Sequence, residues 1–216
     1  MSNGTFDFNE FIRESKEVLL NPKSYFSTMK ITGGMTDPLI KAVIYGAIAG
    51  VFSFLWNILN IGAGSGGMYG SAGIMIIIWS IIAAIIGLFI GGVIVLVISS
   101  ICKGNTDFEA NIRVMAALLV VMPVKSFLGF SGHLNIYLGV IIGLVVSIFA
   151  LWLLYNGLVE ALKTNPETTK IVSYVLIAIT IIIMLAGFFT ARRTNQIMKE
   201  FNSSDFKEMM KDAPKQ

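Results

Sequence analysis

The chain has 216 residues, of which 55% are hydrophobic and only 13% are charged. A typical soluble domain has roughly 45–50% apolar and about 25% charged residues, so this chain could not cover its apolar surface with polar side chains in water. The net charge of +3 is small, and no basic stretch is interleaved with aromatic residues, which excludes nucleic acid as a partner. Composition therefore predicts an integral membrane protein.

The first 37 residues predict a cytoplasmic amphipathic segment rather than a signal peptide. Residues 1–36 carry four basic and four acidic side chains and no continuous apolar run, which a cleavable signal requires. Apolar residues recur at helical spacing from Phe8 to Leu19, and Asn21-Pro22 is typical of a helix start. We expect two short helices lying on the membrane surface. The alternative is that they pack against the cytoplasmic ends of the protein's own spans.

Five stretches are long and apolar enough to cross a bilayer, whose apolar core requires roughly 20 residues of helix. They lie at about 38–60, 74–101, 110–130, 136–162 and 171–190. Barrel strands need only about 9–11 residues and alternate in polarity, whereas these runs do not, so helices are predicted. The predicted fold class is all-α: a five-helix transmembrane bundle over 38–190, joined by short connections, with a polar C-terminal tail at 191–216.

The distribution of Lys and Arg predicts a cytoplasmic N-terminus. In that orientation, nine of the ten basic residues before position 190 lie on the cytoplasmic side, and only Lys125 lies on the other. The nine are Arg13, Lys16, Lys23, Lys30, Lys41, Lys103, Arg113, Lys163 and Lys170. An odd number of spans places the C-terminal tail outside, although Arg192 and Arg193 directly follow a span and favour the opposite side.

Two short motifs that resemble enzyme or nucleotide-binding signatures stand in the wrong context. Residues 62–67 (GAGSGG) match a dinucleotide-binding glycine pattern, but that pattern works between a strand and a helix, and here it joins two spans. Residues 129–132 (GFSG) resemble the motif of rhomboid proteases, yet the only histidine, His133, lies in the same turn instead of on a later span. The sequence contains one histidine, His133, and one cysteine, Cys102. We therefore expect neither a zinc site nor an intrachain disulfide, and we predict no cofactor.

Glycine and proline positions predict how the spans pack. Small residues four apart let helix backbones approach closely, either within the bundle or between two copies of the chain. Such pairs are Gly46 with Gly50, Gly87 with Gly91, and Gly139 with Gly143. Pro123 predicts a kink in the third span. Lys125, two residues later, is a candidate outer charge that could extend to the membrane surface.

The charged residues near the span ends form the candidate intramembrane polar cluster, which comprises Glu160, Lys41, Arg113, Asn156 and Asp37. An unpaired carboxylate within a span costs several kcal/mol, so it is expected to be neutral or paired. We expect Glu160 to face the bundle interior and to contact Lys41 or Arg113 as a structural clamp. The alternative is that these residues line a substrate or proton pathway.

The order of several motifs resembles the YIP1 domain family. They are Asn21-Pro22-x-x-Tyr25-Phe26, Asp37-Pro38-Leu39 at the first span, Asn105-Thr106-Asp107-Phe108 before the third, Met122-Pro123 within it, and Trp152, Gly157-Leu158 and the polar turn from Asn165 to Lys170 before the fifth. The resemblance covers roughly residues 18–190. It implies a five-helix membrane protein with a cytoplasmic N-terminus and no catalytic activity. The short N-terminal region is similar to that of prokaryotic members, which implies a prokaryotic cell membrane, with the Golgi or ER membrane as the eukaryotic alternative.

The resemblance also implies a function. Eukaryotic members act in vesicle trafficking, and some prokaryotic members resemble accessory subunits of ABC-type exporters. We therefore expect a non-enzymatic scaffold or accessory protein whose partners are the lipid bilayer and another integral membrane protein, such as an ABC-type exporter, or a second copy of itself. The alternative is a small transporter or channel that acts on its own. One measurement distinguishes the two hypotheses, because only a transporter or channel predicts solute flux by the purified protein alone.

Overall fold

The structure, a computed structural model, describes residues 7–59 and 73–201, with the backbone alone at 73, 133, 136 and 188–201. Every regular element in these residues is helical. The helices are α1 (Phe8–Leu20), α2 (Pro22–Thr28), α3 (Thr36–Ile58), α4 (Gly73–Ile101), α5 (Phe108–Leu118), α6 (Val121–Leu128), α7 (Ser131–Leu134), α8 (Ile136–Asn156), which ends in a π-helical turn (Gly157–Ala161), and α9 (Pro166–Phe201). The glycine-rich segment 62–67 and the polar tail beyond 201 lie outside the described residues.

Five helical segments in the described part of the chain are long and apolar enough to span a membrane. They are Thr36–Ile58, Ile74–Ile101, Phe108–Leu128, Tyr137–Ala161 and Pro166–Gly187. The predicted all-α fold class with five spans is confirmed. The fifth span begins at Pro166 instead of the predicted 171, because the side chain of Asn165 accepts hydrogen bonds from the backbone N–H groups of Glu167 and Thr168 and so caps a helix where a turn was expected.

The third span is broken near its middle, between α5 and α6. A proline ring clashes with the carbonyl four residues earlier, which for Pro123 is that of Leu119. The helix ends at Leu118, and the N–H of Met122 bonds to the carbonyl of Leu119 at 2.9 Å, a tighter turn than an α-helix makes. The break therefore lies where Pro123 predicts a distortion.

The two N-terminal helices pack against one end of the bundle, which is the arrangement that we considered as the alternative to a membrane-surface location. Phe11 and Val18 of α1 and Phe26 of α2 are buried in the main hydrophobic core. The ring of Phe11 lies 5.0 Å from that of Tyr45 in α3. Asp7 caps α1 by accepting hydrogen bonds from the backbone of its first turn. We call the end of the bundle that α1 and α2 cover the capped end.

Close helix contacts form at several of the predicted glycines. At Gly46 in α3, a Cβ atom would lie 2.9 Å from the Cα atom of Ile81 in α4, so α3 and α4 approach closely there. Gly50 contacts α4 one turn further along, and Gly91 of α4 lies against Met115 of α5. Gly87, in contrast, faces open space. The interior glycines thus explain the tight packing of α3, α4 and α5.

The chain divides into two compact units, Met1–Ile177 and Ala178–Gln216. The first contains the hydrophobic core and every polar site described below. In the second, most of the described side chains of α9 are apolar and exposed, as those of Ile182, Ile183 and Leu185 show. Exposed apolar side chains of this kind are what a membrane span presents to lipid.

Candidate functional site

Five charged residues at the capped end form a connected ionic cluster, which comprises Glu14, Asp37, Lys41, Glu109 and Arg113. The ammonium of Lys41 lies 2.7 Å from the carboxylate of Glu14 and 3.2 Å from that of Asp37. Arg113 lies 3.7 Å from Asp37 and 3.0 Å from Glu109. Asp37 therefore joins the two cations, and the ionic cluster connects α1, α3 and α5.

A two-glycine loop between α2 and α3 completes this arrangement. The guanidinium of Arg113 donates a hydrogen bond to the carbonyl of Gly34 at 2.7 Å, and the N–H of Gly34 donates to the carboxylate of Glu109 at 2.6 Å. Gly33 and Gly34 have φ angles of 128° and 89°, a region that residues with a Cβ atom rarely adopt. The loop thus needs glycine in order to bring its backbone against the Arg113–Glu109 pair.

The cations of the ionic cluster are largely withdrawn from solvent, because the side chains of Lys41 and Arg113 are only 10% and 9% exposed. Burial raises the pKa of the neighbouring Tyr25 phenol well above its usual range, and the carboxylates of Glu14 and Asp37 raise it further. Tyr25 therefore stays neutral beside the ionic cluster. The buried cations are each satisfied by carboxylates, so the geometry favours a structural role.

Glu160 does not contact Lys41 or Arg113, so the predicted clamp is wrong in its partners. Its carboxylate lies 3.8 Å from the ammonium of Lys23 in α2, with side-chain exposures of 22% for Glu160 and 80% for Lys23. The physical reason is that α2 folds back over the π-helical turn that carries Glu160, while carboxylates on α1, α3 and α5 reach Lys41 and Arg113. The Lys23–Glu160 pair is therefore separate from the ionic cluster.

The other predicted polar residues have different surroundings. Asn156 is buried, and its side-chain amide donates to the carbonyl of Trp152 in its own helix at 2.8 Å, so it belongs to α8 and not to the ionic cluster. Lys125 is exposed and forms no ion pair with any described residue. Of the five residues expected to cluster, the structure brings together Asp37, Lys41 and Arg113.

Two loops at this end of the bundle bond to each other in a reciprocal way. The N–H of Asn105 donates to the carbonyl of Leu162, and the N–H of Asn165 donates to the carbonyl of Cys102. The two loops share the pattern Lys-x-Asn-x-acid, at 103–107 and 163–167. Their lysines, Lys103 and Lys163, both have positive φ angles, of 58° and 54°. We call this arrangement the loop pair.

No group of three or more His, Cys, Asp or Glu side chains in the described parts of the chain is arranged to hold a metal ion. Among the described residues, the ion pairs at the capped end are those of the ionic cluster, with three carboxylates and two cations, and two further pairs, Lys23–Glu160 and Arg13–Glu10.

A family model for the Yip1 domain matches residues 16–189. The chain belongs to the Yip1 domain family. No curated protein and no solved structure gives a significant match to the chain.

The Yip1 domain match includes all five candidate spans and begins within α1, at residue 16. Asp37, Lys41, Glu109 and Arg113 of the ionic cluster lie within it, whereas Glu14 lies before its start at residue 16. The carboxylate that pairs with Lys41 at 2.7 Å therefore lies outside the matched residues. The resemblance in the sequence is confirmed over nearly the same residues as expected.

Proposed function

We propose that this Yip1 domain protein is a non-enzymatic scaffold or accessory subunit that associates with another integral membrane protein, in trafficking or beside an ABC-type exporter. The observation that carries the proposal is the placement of charge in the spans. Charged side chains lie near span ends, and the most buried of them, Lys41 and Arg113, are paired with carboxylates. A transport pathway generally needs polar or ionisable groups deeper in the bundle.

The exposed surface of the fourth span supports association within the bilayer. In the most apolar window of the first three spans, 33%, 28% and 44% of residues are buried, but in those of the fourth and fifth only 6% and 0% are. Ile141 and Val145 of α8 are 59% and 61% exposed. This face contacts lipid, and we propose that it also receives a transmembrane helix of the partner protein or of a second copy.

The proposed location follows from the same expectations. We place the protein in a prokaryotic cell membrane with a cytoplasmic N-terminus, and in the ER or Golgi membrane if the source is eukaryotic. The basic residues of the capped end support this orientation, because Lys and Arg favour the cytoplasmic side. No cofactor, nucleic acid or catalytic residue has a part in the proposal.

Photo-crosslinking in native membranes tests the proposal. A photoreactive amino acid at Val145 should give an adduct with one integral membrane protein or with a second copy, whereas the same amino acid at the fully buried Leu153 should give none. The captured protein, purified alone, should rebuild the complex in mild detergent. Solute flux by the purified protein in liposomes, lost in Glu160→Gln, would instead establish a transporter and overturn the scaffold proposal.

A further inference from the structure

A groove of about 510 Å³ opens beside the elbow between α1 and α2, on the side that faces α8. Its lining combines polar and apolar side chains. Asn21, Lys23, Ser24 and Ser27 line it from the elbow and α2, and Leu20 and Trp152 supply its large apolar surfaces. Leu20 is 74% exposed and Trp152 is 47% exposed, so both apolar side chains are accessible to a ligand in the groove.

The groove runs along the boundary between the apolar and polar layers of a membrane. Trp152 lies in the fourth span, nine residues before its end at Ala161, which corresponds to about 13 Å along a helix. Glu160, the acid that pairs with Lys23, lies one residue before that end. The other lining residues, Leu20 to Ser27, lie before the first span, which begins at Thr36. One end of the groove therefore lies beside acyl chains, and the other lies beside headgroups.

Two charges are available to a ligand at the polar end: Lys23, which lines the groove, and Glu160, which does not line it but lies beside it, 3.8 Å from Lys23. The Lys23–Glu160 distance of 3.8 Å exceeds a hydrogen bond, whereas the Lys41–Glu14 distance is 2.7 Å. Lys23 is 80% exposed, and the side chain of Asn21 makes no capping bond to α2. A phosphate could thus accept from Lys23 while an ammonium group donates to Glu160.

We propose that this groove binds one phospholipid with an ethanolamine headgroup. Its phosphate would lie at Lys23 and Asn21, its primary ammonium at Glu160, and one acyl chain along Leu20 and Trp152. A glycerol headgroup offers no cation to Glu160, and a choline headgroup offers a cation without N–H donors, so charge complementarity favours ethanolamine. This inference is independent of the scaffold proposal, since it requires no protein partner.

Fluorescence quenching by brominated lipids tests the inference. With Trp56→Phe and Trp79→Phe, Trp152 is the only tryptophan of the chain. The protein is reconstituted in phosphatidylcholine vesicles that contain dibrominated phosphatidylethanolamine, phosphatidylcholine or phosphatidylglycerol at equal mole fraction. We expect the relative affinity for brominated phosphatidylethanolamine to exceed that for the other two by about tenfold or more, the scale of one hydrogen bond to a charged group.

Variants separate a specific site from general lipid contact. Glu160→Gln should abolish the preference for ethanolamine, and Lys23→Ala should weaken the binding of all three lipids through their shared phosphate. Lys170→Ala, which removes an exposed lysine elsewhere, should change neither. Equal quenching by the three lipids, or equal effects of Lys23→Ala and Lys170→Ala, would overturn the inference. If the double tryptophan variant does not fold, native mass spectrometry of the protein with its three tryptophans replaces the quenching experiment. We then expect phosphatidylethanolamine to remain bound to the unchanged protein and to be lost in Lys23→Ala.

Discussion

The ammonium of Lys41 lies 2.7 Å from the carboxylate of Glu14, so a helix outside the spans supplies the counter-ion of a cation inside the first span. A buried lysine without a partner is costly, and the attachment of α1 to the bundle removes that cost. In return, the pair holds α1 at a fixed position, together with the packing of Phe11 and Val18. The N-terminal segment is therefore part of the folded bundle and not a separate tether.

The first prediction concerns this pair. Glu14→Gln removes the negative charge but keeps an oxygen that can accept a hydrogen bond from Lys41. We expect the free energy of unfolding to fall by about 1–3 kcal/mol, the usual effect of weakening a partly buried hydrogen bond to a charge. Unfolding in mixed SDS and mild-detergent micelles measures this change. Trypsin cleavage at Arg13 and Lys16 should become faster, because α1 detaches more often.

Glu10→Gln is the matched control, since it removes an acid from the same helix. Among the residues that the structure describes, Glu10 forms an ion pair with Arg13 alone, at 3.4 Å, and both side chains are more than half exposed. Such surface pairs contribute little to stability. An equal loss in Glu10→Gln and Glu14→Gln would show that the Lys41 contact does not hold α1.

The second prediction concerns Arg113, which has three partners. Arg113→Ala leaves Asp37 and Glu109 without this cation and removes the donor to the Gly34 carbonyl. We expect a loss of about 3–5 kcal/mol, because one member of a buried charged group is removed. Arg113→Lys should recover only part of it, since an ammonium cannot reproduce the planar donor geometry. Full recovery by lysine in the same unfolding measurement would contradict the assigned hydrogen bonds.

The third prediction concerns Glu160, whose partner Lys23 is 80% exposed. Because solvent screens this pair, Glu160→Gln should lower the free energy of unfolding by about 1 kcal/mol or less. The loss should therefore be smaller than that in Glu14→Gln, although Glu160 lies in a span and Glu14 does not. A loss of several kcal/mol would indicate a buried partner that the structure does not show.

The fourth prediction compares two glycines on neighbouring helices. At Gly46, an added Cβ atom would lie 2.8 Å from the Cβ atom of Ala84 and 2.9 Å from backbone atoms of α4, so Gly46→Ala should destabilise the bundle by about 1–3 kcal/mol. At Gly87 no atom lies within 4 Å, and Gly87→Ala should be neutral or stabilising by up to about 1 kcal/mol through helix propensity. Thermal unfolding in detergent separates the two. A destabilising Gly87→Ala would point to a helix packed on that face in the membrane.

The fifth prediction is that the termini lie on opposite sides of the membrane, with the N-terminus inside. A single cysteine introduced at Ser2 or at Ser203, in a chain with Cys102→Ala, tests it with a membrane-impermeant maleimide on intact cells. Cys102 is fully buried, and alanine is a small replacement at that site. We expect labelling of the cysteine at position 203 alone. Labelling of both or of neither would require an even number of spans.

The sequence was sufficient for the architecture because hydrophobic length is a direct physical requirement for crossing a bilayer. The five spans, the distortion before Pro123 and the close contact at Gly46 all follow from local patterns. The start of the fifth span at Pro166 also had a local signal, the Asn165-Pro166 pair, which is typical of a helix cap and first residue.

The partners of the charged residues could not be predicted in the same way. Lys41 and Arg113 were recognised as costly charges, but their partners depend on where α1 and α5 lie in space. The spacing of Lys41 to Asp37 and of Arg113 to Glu109, four residues in each case, was a local signal for two of the contacts. Nothing local connects Glu14 to Lys41 or Lys23 to Glu160, because those contacts form only when the N-terminal helices fold back.

The loop pair has a consequence for the order in which the protein is made. Asn105 obtains its backbone partner from Leu162, and Cys102 from Asn165, which the ribosome adds about sixty positions later (162 against 105, and 165 against 102). Until the chain has been synthesised through the fourth span, the N–H of Asn105 and the carbonyl of Cys102 lack the partners that they have in the folded protein. The hydrogen bonds of the loop pair therefore form late in biogenesis, after the first three spans have been synthesised. A nascent chain halted before Leu162 would leave the N–H of Asn105 and the carbonyl of Cys102 without these partners.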